Sequence, residues 1–517
     1  VTAPDVVVVG SGAAGLAAAL AARHRGATVT VLEATSTLGG TTALSSGAVW
    51  LPGTPHAGPA DGAGPALRYL DAVCAGDVDR ALVRRFVAVA PGVAARLERD
   101  TPVRWAPVPF PDCHSGQPGA APGGRSLEPL PFRPAAERAA MVRPGLPWRP
   151  RATLAELVAG VDPATVEERV RAGIVVGGQA LVGALLTAAV DAGVRIRTSA
   201  RVSGLETRGP AVVGARVDGD VVPGAVVLAA GGFERDTALT ATFLGGPVHG
   251  LIGAPGARGD GLRMAIAAGA ALGTMSEAWW CPTISVPGER IDGAAAHRML
   301  LFERARPGSL LVDRHGRRFV NEAQSYHEVG RALRTFDPAS SSFDRDPAWL
   351  LFDDTHRRSY PVGPLRPGEP DPPWLRRADT WHGLATRLDL PGDALVETVG
   401  AFGRAAARGS DRRHGRGDSA FDRAMGDRRA PHPTLRPLDD GPYYALPVHA
   451  GVGGTKGGPR TDADGRVLRE DGRSVAGLFA AGNVAASPFG LAYPGMGGTL
   501  GPALVFGHLA GAAAATP

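Results

Sequence analysis

Two glycine-rich stretches hold the residues whose types and spacing point to chemistry. Gly10, Gly12 and Gly15 form a G-x-G-x-x-G turn. In such a turn the first glycine permits the tight bend and the second lets a diphosphate approach the N–H groups of a helix N-terminus. The third lets helix and strand pack closely, and Glu33 downstream can accept hydrogen bonds from a ribose. At the other end of the chain, "GLAYPGMGGTLGPA" (490–503) sets Tyr493 among glycines. Glycine inside an element costs about 0.5–1 kcal/mol against alanine, so the cluster answers to a tight turn or to a ligand that touches backbone. The rest of the chain favours the ligand.

The elements that must position these residues can be read around them. "DVVVVGSGAAGLAAALAARHRGATVTVLE" (5–33) reads as a buried parallel strand at Val6–Val9, an alanine-rich helix, and a second strand ending at Glu33. This context makes the glycine triplet a dinucleotide cradle without distinguishing NAD from FAD. Further small-residue turns at strand ends make that distinction: "LGGTTALSSGAVW" (38–50), "AVVLAAGGFERD" (225–236), "GARGDGLRMAIAAGAAL" (256–272) and "GLFAAGNVA" (477–485). So many turns suit FAD, whose length spans a whole domain. The expected cofactor contacts in the first unit are Gly10, Ser11, Gly12, Ala13, Ala14, Gly15, Glu33 and Ala34. Gly40, Thr41, Thr42, Ser45, Gly47, Val202, Ala230, Gly231, Asp260, Gly482 and Asn483 follow. Gly498, Thr499 and Leu500 complete the set, at the N-terminus of a helix whose N–H groups and dipole can stabilise negative charge on a reduced flavin.

The 517 residues are enough for two or three domains, and 44% hydrophobic with 20% charged residues marks a globular chain. The net charge of +5 does not imply nucleic acid, because the arginines are dispersed beside acids with no basic stripe among aromatics. Lys456, in "GGTKGGPR", is the only lysine, a hint of a particular role. Cys74, Cys113 and Cys281 are far apart and form no CxxC or metal pattern, which fits a reducing compartment and no metal. The start carries no basic n-region or apolar h-region, and no run is long enough to span a bilayer. The expectation is a soluble cytoplasmic protein with no stable membrane anchor.

"GGTTALSSGAVW", "MSEAWWCP", "DRHGRRFVNEAQSYHE", "HGRGDSAFDRAMGD", "GTKGG" and "AGNVAASPFGLAYPGMGGTLGPALVFG" run from end to end of the chain. Through them it resembles the flavoprotein family of fumarate reductase and succinate dehydrogenase flavoprotein subunits, and within it most closely the 3-ketosteroid Δ1-dehydrogenases. The resemblance implies an α/β fold in which both chain ends form a Rossmann-like FAD-binding domain around an inserted α+β catalytic domain. Composition sets the divisions at 1–275, 276–435 and 436–517, with a helical and loop excursion at about 60–170. The resemblance also implies that Tyr493 and the N–H of Gly497 hold a ketone oxygen, and that Tyr326 removes the alpha proton. Two preorganised donors suit the charge that develops on that oxygen.

One departure stands out. Where the resembled enzymes carry a second, assisting tyrosine, "PFPDCHSGQPG" carries Cys113, so Cys113 or His114 stands as the alternative group. Trp279, Trp280 and Phe489 suggest an apolar wall for a ring-bearing substrate, steroid or secondary metabolite. Some relatives attach FAD through a histidine after a "GG" turn; "GGTTALSSG" has none, so FAD is expected to be noncovalent. The expected activity is desaturation of a cyclic apolar ketone, with an electron acceptor that the sequence does not identify. The rivals are a fumarate-reductase-like enzyme and a flavin-binding scaffold without catalysis.

Overall fold

Val6–Val9, four consecutive buried valines, lies at the centre of a six-stranded sheet in the computed structural model, which describes residues 4–516. It pairs in parallel with Val29–Leu32 on one side and Ala225–Leu228 on the other. Arg195–Arg197 and Ser474–Ala480 extend the parallel run, and Arg466–Leu468 closes one edge antiparallel. Central strands covered on both faces need no polar alternation, which is why they read as continuous apolar runs. The sheet therefore draws strands from both ends of the chain.

Helix Ala13–His24 packs under this sheet and is crossed closely by the C-terminal helix Leu500–Ala514. Small residues on both helices make the approach possible. A Cβ at Gly511 would lie 2.0 Å from the Ala18 carbonyl oxygen, and one at Gly507 2.4 Å from that of Ala14. The excursion after Trp50 forms helices Ala63–Val73 and Arg80–Asp100, then strands Trp105–Pro107 and Ser126–Pro129. The latter strand pairs with Val49–Trp50 and brings the excursion back to the core.

A second, seven-stranded sheet forms around Tyr443–Thr455. This strand pairs antiparallel with Ala278–Ile291, Ala348–Asp353 and Arg376–Ala378, and in parallel with Gly250–Leu251. The division expected at residue 436 thus falls ahead of a strand whose partners all lie between 250 and 378. Among the described residues no helix is long and apolar enough to cross a membrane.

A buried charge cluster holds the turn ahead of helix Tyr326–Leu333. Glu322 accepts from Arg318 at 2.7 and 2.8 Å, from Arg416 at 3.1 Å and from the Leu311 N–H at 3.2 Å. Burial would raise its carboxyl, but the two guanidiniums outweigh that and hold it down to about 2. Removing the shared anion leaves Arg416 with no carboxylate among the described residues and Arg318 with Asp411 alone, at 2.8 Å. Glu322→Gln is therefore expected to destabilise the protein by about 3–5 kcal/mol, read as a fall in the denaturant midpoint; an unchanged midpoint would mean the cluster contributes nothing.

Candidate active site

A cavity of about 500 Å³ runs from the glycine turn at residues 10–14 to Tyr326 and Tyr493. Gly10 takes φ +105°, and a Cβ there would sit 2.4 Å from the Ala229 carbonyl oxygen. Helix Ala13–His24 begins at Gly12 with no side-chain cap of its own, although Thr42 Oγ1 accepts from the Ala13 N–H at 3.1 Å. Its remaining N–H groups and dipole face the cavity, an arrangement that fits the diphosphate of a dinucleotide.

Most of the expected cofactor contacts line this cavity: Gly10 to Ala14, Glu33, Ala34, Gly40, Thr41, Thr42, Ser45, Val202, Ala230, Gly231, Asp260, Gly482, Asn483, Thr499 and Leu500. Three do not. Gly15 packs behind the turn, where a Cβ would meet the Gly10 carbonyl oxygen at 2.0 Å. Gly47 abuts the Gly177 backbone, and Gly498 lies behind the Tyr493 ring, ahead of a helix that begins at Leu500. Glu33 differs in another way. Its carboxylate already accepts from the Ser11 N–H and hydroxyl and from the Thr35 N–H and hydroxyl, so a ribose must share or displace the two rotatable hydroxyls.

At the opposite end, Tyr326 and Tyr493 are joined through their hydroxyls, and the Gly497 N–H donates to Tyr493 Oη at 3.0 Å. Burial raises both phenols above the ordinary tyrosine range. The two rings come from different elements: Tyr326 opens helix Tyr326–Leu333, and Tyr493 stands in the turn before the C-terminal helix. Gly497 takes φ +91°, and a Cβ there would lie 2.4 Å from Val49 Cα. The neighbouring glycines answer to Trp50 as well: a Cβ at Gly495 or Gly501 would lie 2.3 Å from its Cδ1 or 2.2 Å from its carbonyl oxygen. Packing against Trp50, as much as backbone access for a ligand, accounts for the crowding of glycines.

Several residues that the sequence did not assign hold the tyrosines. His327, fully buried, accepts from the Trp280 N–H at Nδ1 (3.2 Å) while Nε2 lies 2.9 Å from the Leu491 carbonyl oxygen. Burial pushes its pKa well down, so the ring is neutral. Tyr69 Oη donates to the Pro494 carbonyl at 2.6 Å, bridging 425 positions of sequence. Lys456, the lone lysine, is buried with Nζ 2.8 Å from the Ala492 carbonyl oxygen and 4.3 Å from the centre of the Trp279 ring. Burial pulls its pKa down to about 7 against the opposing pull of Glu277. A tyrosine–histidine pair at a helix start and a single lysine were the available signals; nothing local marked Tyr69.

Other expectations are corrected. Cys113 and His114 do not line the cavity. The Cys113 thiol is buried beside Ser325, and desolvation pushes its pKa up, so it is not a ready base. His114 lies 3.6 Å from Glu328, and burial lowers its pKa. Phe489 is core, stacked edge-on against Trp50 and Phe86 rather than forming a substrate wall. Trp279 and Trp280 do line the cavity; Trp279 Nε1 donates to Asn483 at 3.0 Å, and its ring meets Tyr493 edge-on.

Residues 5–500 match the family model of the FAD binding domain. The chain is 38% identical to 4-oxocyclohexanecarboxylate 2-dehydrogenase of Sinomonas cyclohexanicum, over 98% of this chain and 92% of that protein. It is 35% identical to 3-oxosteroid 1-dehydrogenase of Mycobacterium tuberculosis, over 98% and 97%. The crystal structure of 3-ketosteroid Δ1-dehydrogenase from Sterolibacterium denitrificans in complex with 1,4-androstadiene-3,17-dione is similar with a TM-score of 0.92, 35% identity and 99% of both chains covered. By sequence and fold together, the chain belongs to the FAD-dependent flavoprotein dehydrogenases that include the 3-oxosteroid 1-dehydrogenases.

Proposed function

We propose that this protein desaturates a ring ketone, taking hydrogen from the carbons alpha and beta to the carbonyl. The observation that carries this reading is the meeting of Tyr326, Tyr493 and the Gly497 N–H at one end of a cavity whose other end fits a dinucleotide. FAD bound there supplies the acceptor for the hydride that leaves the beta carbon. The Tyr493 hydroxyl and the Gly497 N–H hold the ketone oxygen as negative charge grows on it, the N–H turning to that oxygen from Tyr493 Oη, to which it otherwise donates. Tyr326 takes the alpha proton. An isolated phenol is a poor base at neutral pH, and burial makes it poorer, so it needs a partner that stabilises the phenolate. Tyr493 is not that partner, because its one proton is kept for the ketone oxygen and its contact raises the Tyr326 phenol; the sequence had offered Cys113 or His114 for this role.

Neutral donors at the reacting end suit a ketone better than a dicarboxylic acid, which needs cations on its carboxylates. The cofactor is held without a covalent bond, because the small hydroxyl-bearing residues Thr41, Thr42 and Ser45 meet it where a histidine attachment would need an imidazole. The FAD-binding unit is built from both chain ends around an inserted catalytic unit, and the pairing of Tyr443–Thr455 supports ending that insert near residue 455. The three cysteines are free and buried, in keeping with a reducing cytoplasm.

Three outcomes test this reading. Mixing the oxidised protein anaerobically with ring ketones should bleach the flavin, and Tyr493→Phe should slow the bleaching by about 10²-fold or more through loss of one oxyanion donor. A near-wild-type rate would remove Tyr493 from the chemistry. Because the base acts deprotonated and its phenol is raised above the ordinary value, the rate at saturating ketone should climb with pH and reach no plateau below about pH 10; Tyr326→Phe should abolish the climb. Acid precipitation should leave all flavin in the supernatant, whereas yellow pelleted protein would mean a covalent link.

A further inference from the structure

Three arginines line the cavity, and two are neutralised. Arg143 is paired with Asp292, and Arg298 with Glu289. Arg149 has no carboxylate within ion-pair distance among the described residues. Its Nη1 donates to the Leu44 carbonyl at 3.1 Å, and the rest of its fork of donors is uncommitted. The acid that acts on it electrostatically, Glu128, is engaged by the N–H groups of Leu154 and Ala155 at 2.6 and 2.9 Å. Arg149 is half-buried; a guanidinium stays charged at any working pH, and one partly withdrawn from water without a counter-ion is a ready site for an anion.

Two anions can reach such a cavity: the cofactor diphosphate and a carboxylate on the substrate. The diphosphate already has its cradle at Gly12–Ala14. Arg149 is anchored instead on Leu44, whose chain runs on through Ser46 to Ala48 and Val49, the backbone against which Gly497 is pressed. Glu128 belongs to the strand that pairs with Val49–Trp50. Leu44 also ends the helix Gly40–Leu44 that carries Thr41 and Thr42, so Arg149 is anchored between the cofactor turn and the segment that packs on the tyrosine loop. Trp148 and Leu157 line the wall beside it, an apolar frame that suits a ring.

We propose that Arg149 binds a carboxylate on the substrate, so that the enzyme acts on a ring ketone bearing an acid group rather than on a neutral steroid. This rests on the ketone reading above. Tyr493 and Gly497 hold one end of the molecule and Arg149 the other, which fixes which ring carbon faces Tyr326. A charge-assisted pair of this kind in a low-dielectric site amounts to about 10- to 100-fold in affinity.

The test uses the purified FAD-loaded protein and three probes: 4-oxocyclohexanecarboxylate, its methyl ester, and a neutral 3-ketosteroid. Anaerobic flavin reduction should half-saturate at an acid concentration at least about tenfold below that of the ester. In Arg149→Gln this preference should collapse towards one, and Arg149→Lys should restore part of it. Cyclohexanecarboxylate, which has no ketone to react, should perturb the flavin spectrum of the wild-type protein and not that of Arg149→Gln. Equal use of acid and ester by the wild type, or preference for the steroid, overturns the proposal and leaves the ketone reading standing. Loss of FAD from Arg149→Gln also overturns it, assigning the arginine to the diphosphate. Flavin that no ketone reduces overturns the ketone reading, and this proposal with it.

Discussion

The architecture of the site depends on how closely the turn at 493–501 is pressed against Val49 and Trp50. Trp50 donates its backbone N–H to the Gly497 carbonyl at 3.0 Å, and Gly495, Gly497 and Gly501 each sit where a Cβ would overlap residues 49–50. The indole Nε1 of Trp50 donates to Asp112 at 2.8 Å, and Arg125 pairs with both Asp112 and Asp61. The turn is thus fixed against a residue that is itself fixed by a buried ionic network. A side chain at any of these glycines would push the Gly497 amide off the Tyr493 hydroxyl to which it donates.

That rigidity matters because Tyr493 and His327 are buried beside the ring of Trp279. Burial raises the phenols of Tyr326 and Tyr493, lowers Lys456 and keeps His327 neutral. In such surroundings a fixed donor is worth more than in water, since it need not reorganise when charge develops. The supporting groups act through carbonyls: Lys456 on Ala492, Tyr69 on Pro494, His327 on Leu491. Leu491, Ala492 and Pro494, the residues on either side of Tyr493, are each tied by a different side chain, so Tyr493 has little freedom to swing.

The two halves of the site arise on different sheets. The nucleotide end grows from the parallel sheet around Val6–Val9, and Tyr326 arrives on a helix that packs against the strand Ala278–Ile291 of the second sheet. Trp279, on that strand, donates to Asn483, which follows the last strand of the first sheet, and touches Tyr493, so one indole joins the turn at Asn483 to the loop that carries Tyr493. The buried Arg318–Glu322–Arg416 cluster keeps the approach to Tyr326 in place.

The nucleotide cradle was legible in the sequence because its signal is local. Strand, turn, helix, second strand and Glu33 fall within a single βαβ unit, and each residue's role follows from backbone geometry that a short segment determines by itself. The glycines around Tyr493 were legible as a constraint, although their main packing partner, Trp50, was not. What only the tertiary structure decided was which distant side chains share a point. Phe489 and Cys113 looked suited to the cavity and lie behind it; Tyr69, which no local pattern marks, holds the loop that carries Tyr493; and Arg149, one arginine among many in the sequence, is the cavity arginine with no carboxylate partner among the described residues. Burial, and the presence or absence of a counter-charge, depend on chain segments hundreds of residues apart, and no spacing within a segment encodes them.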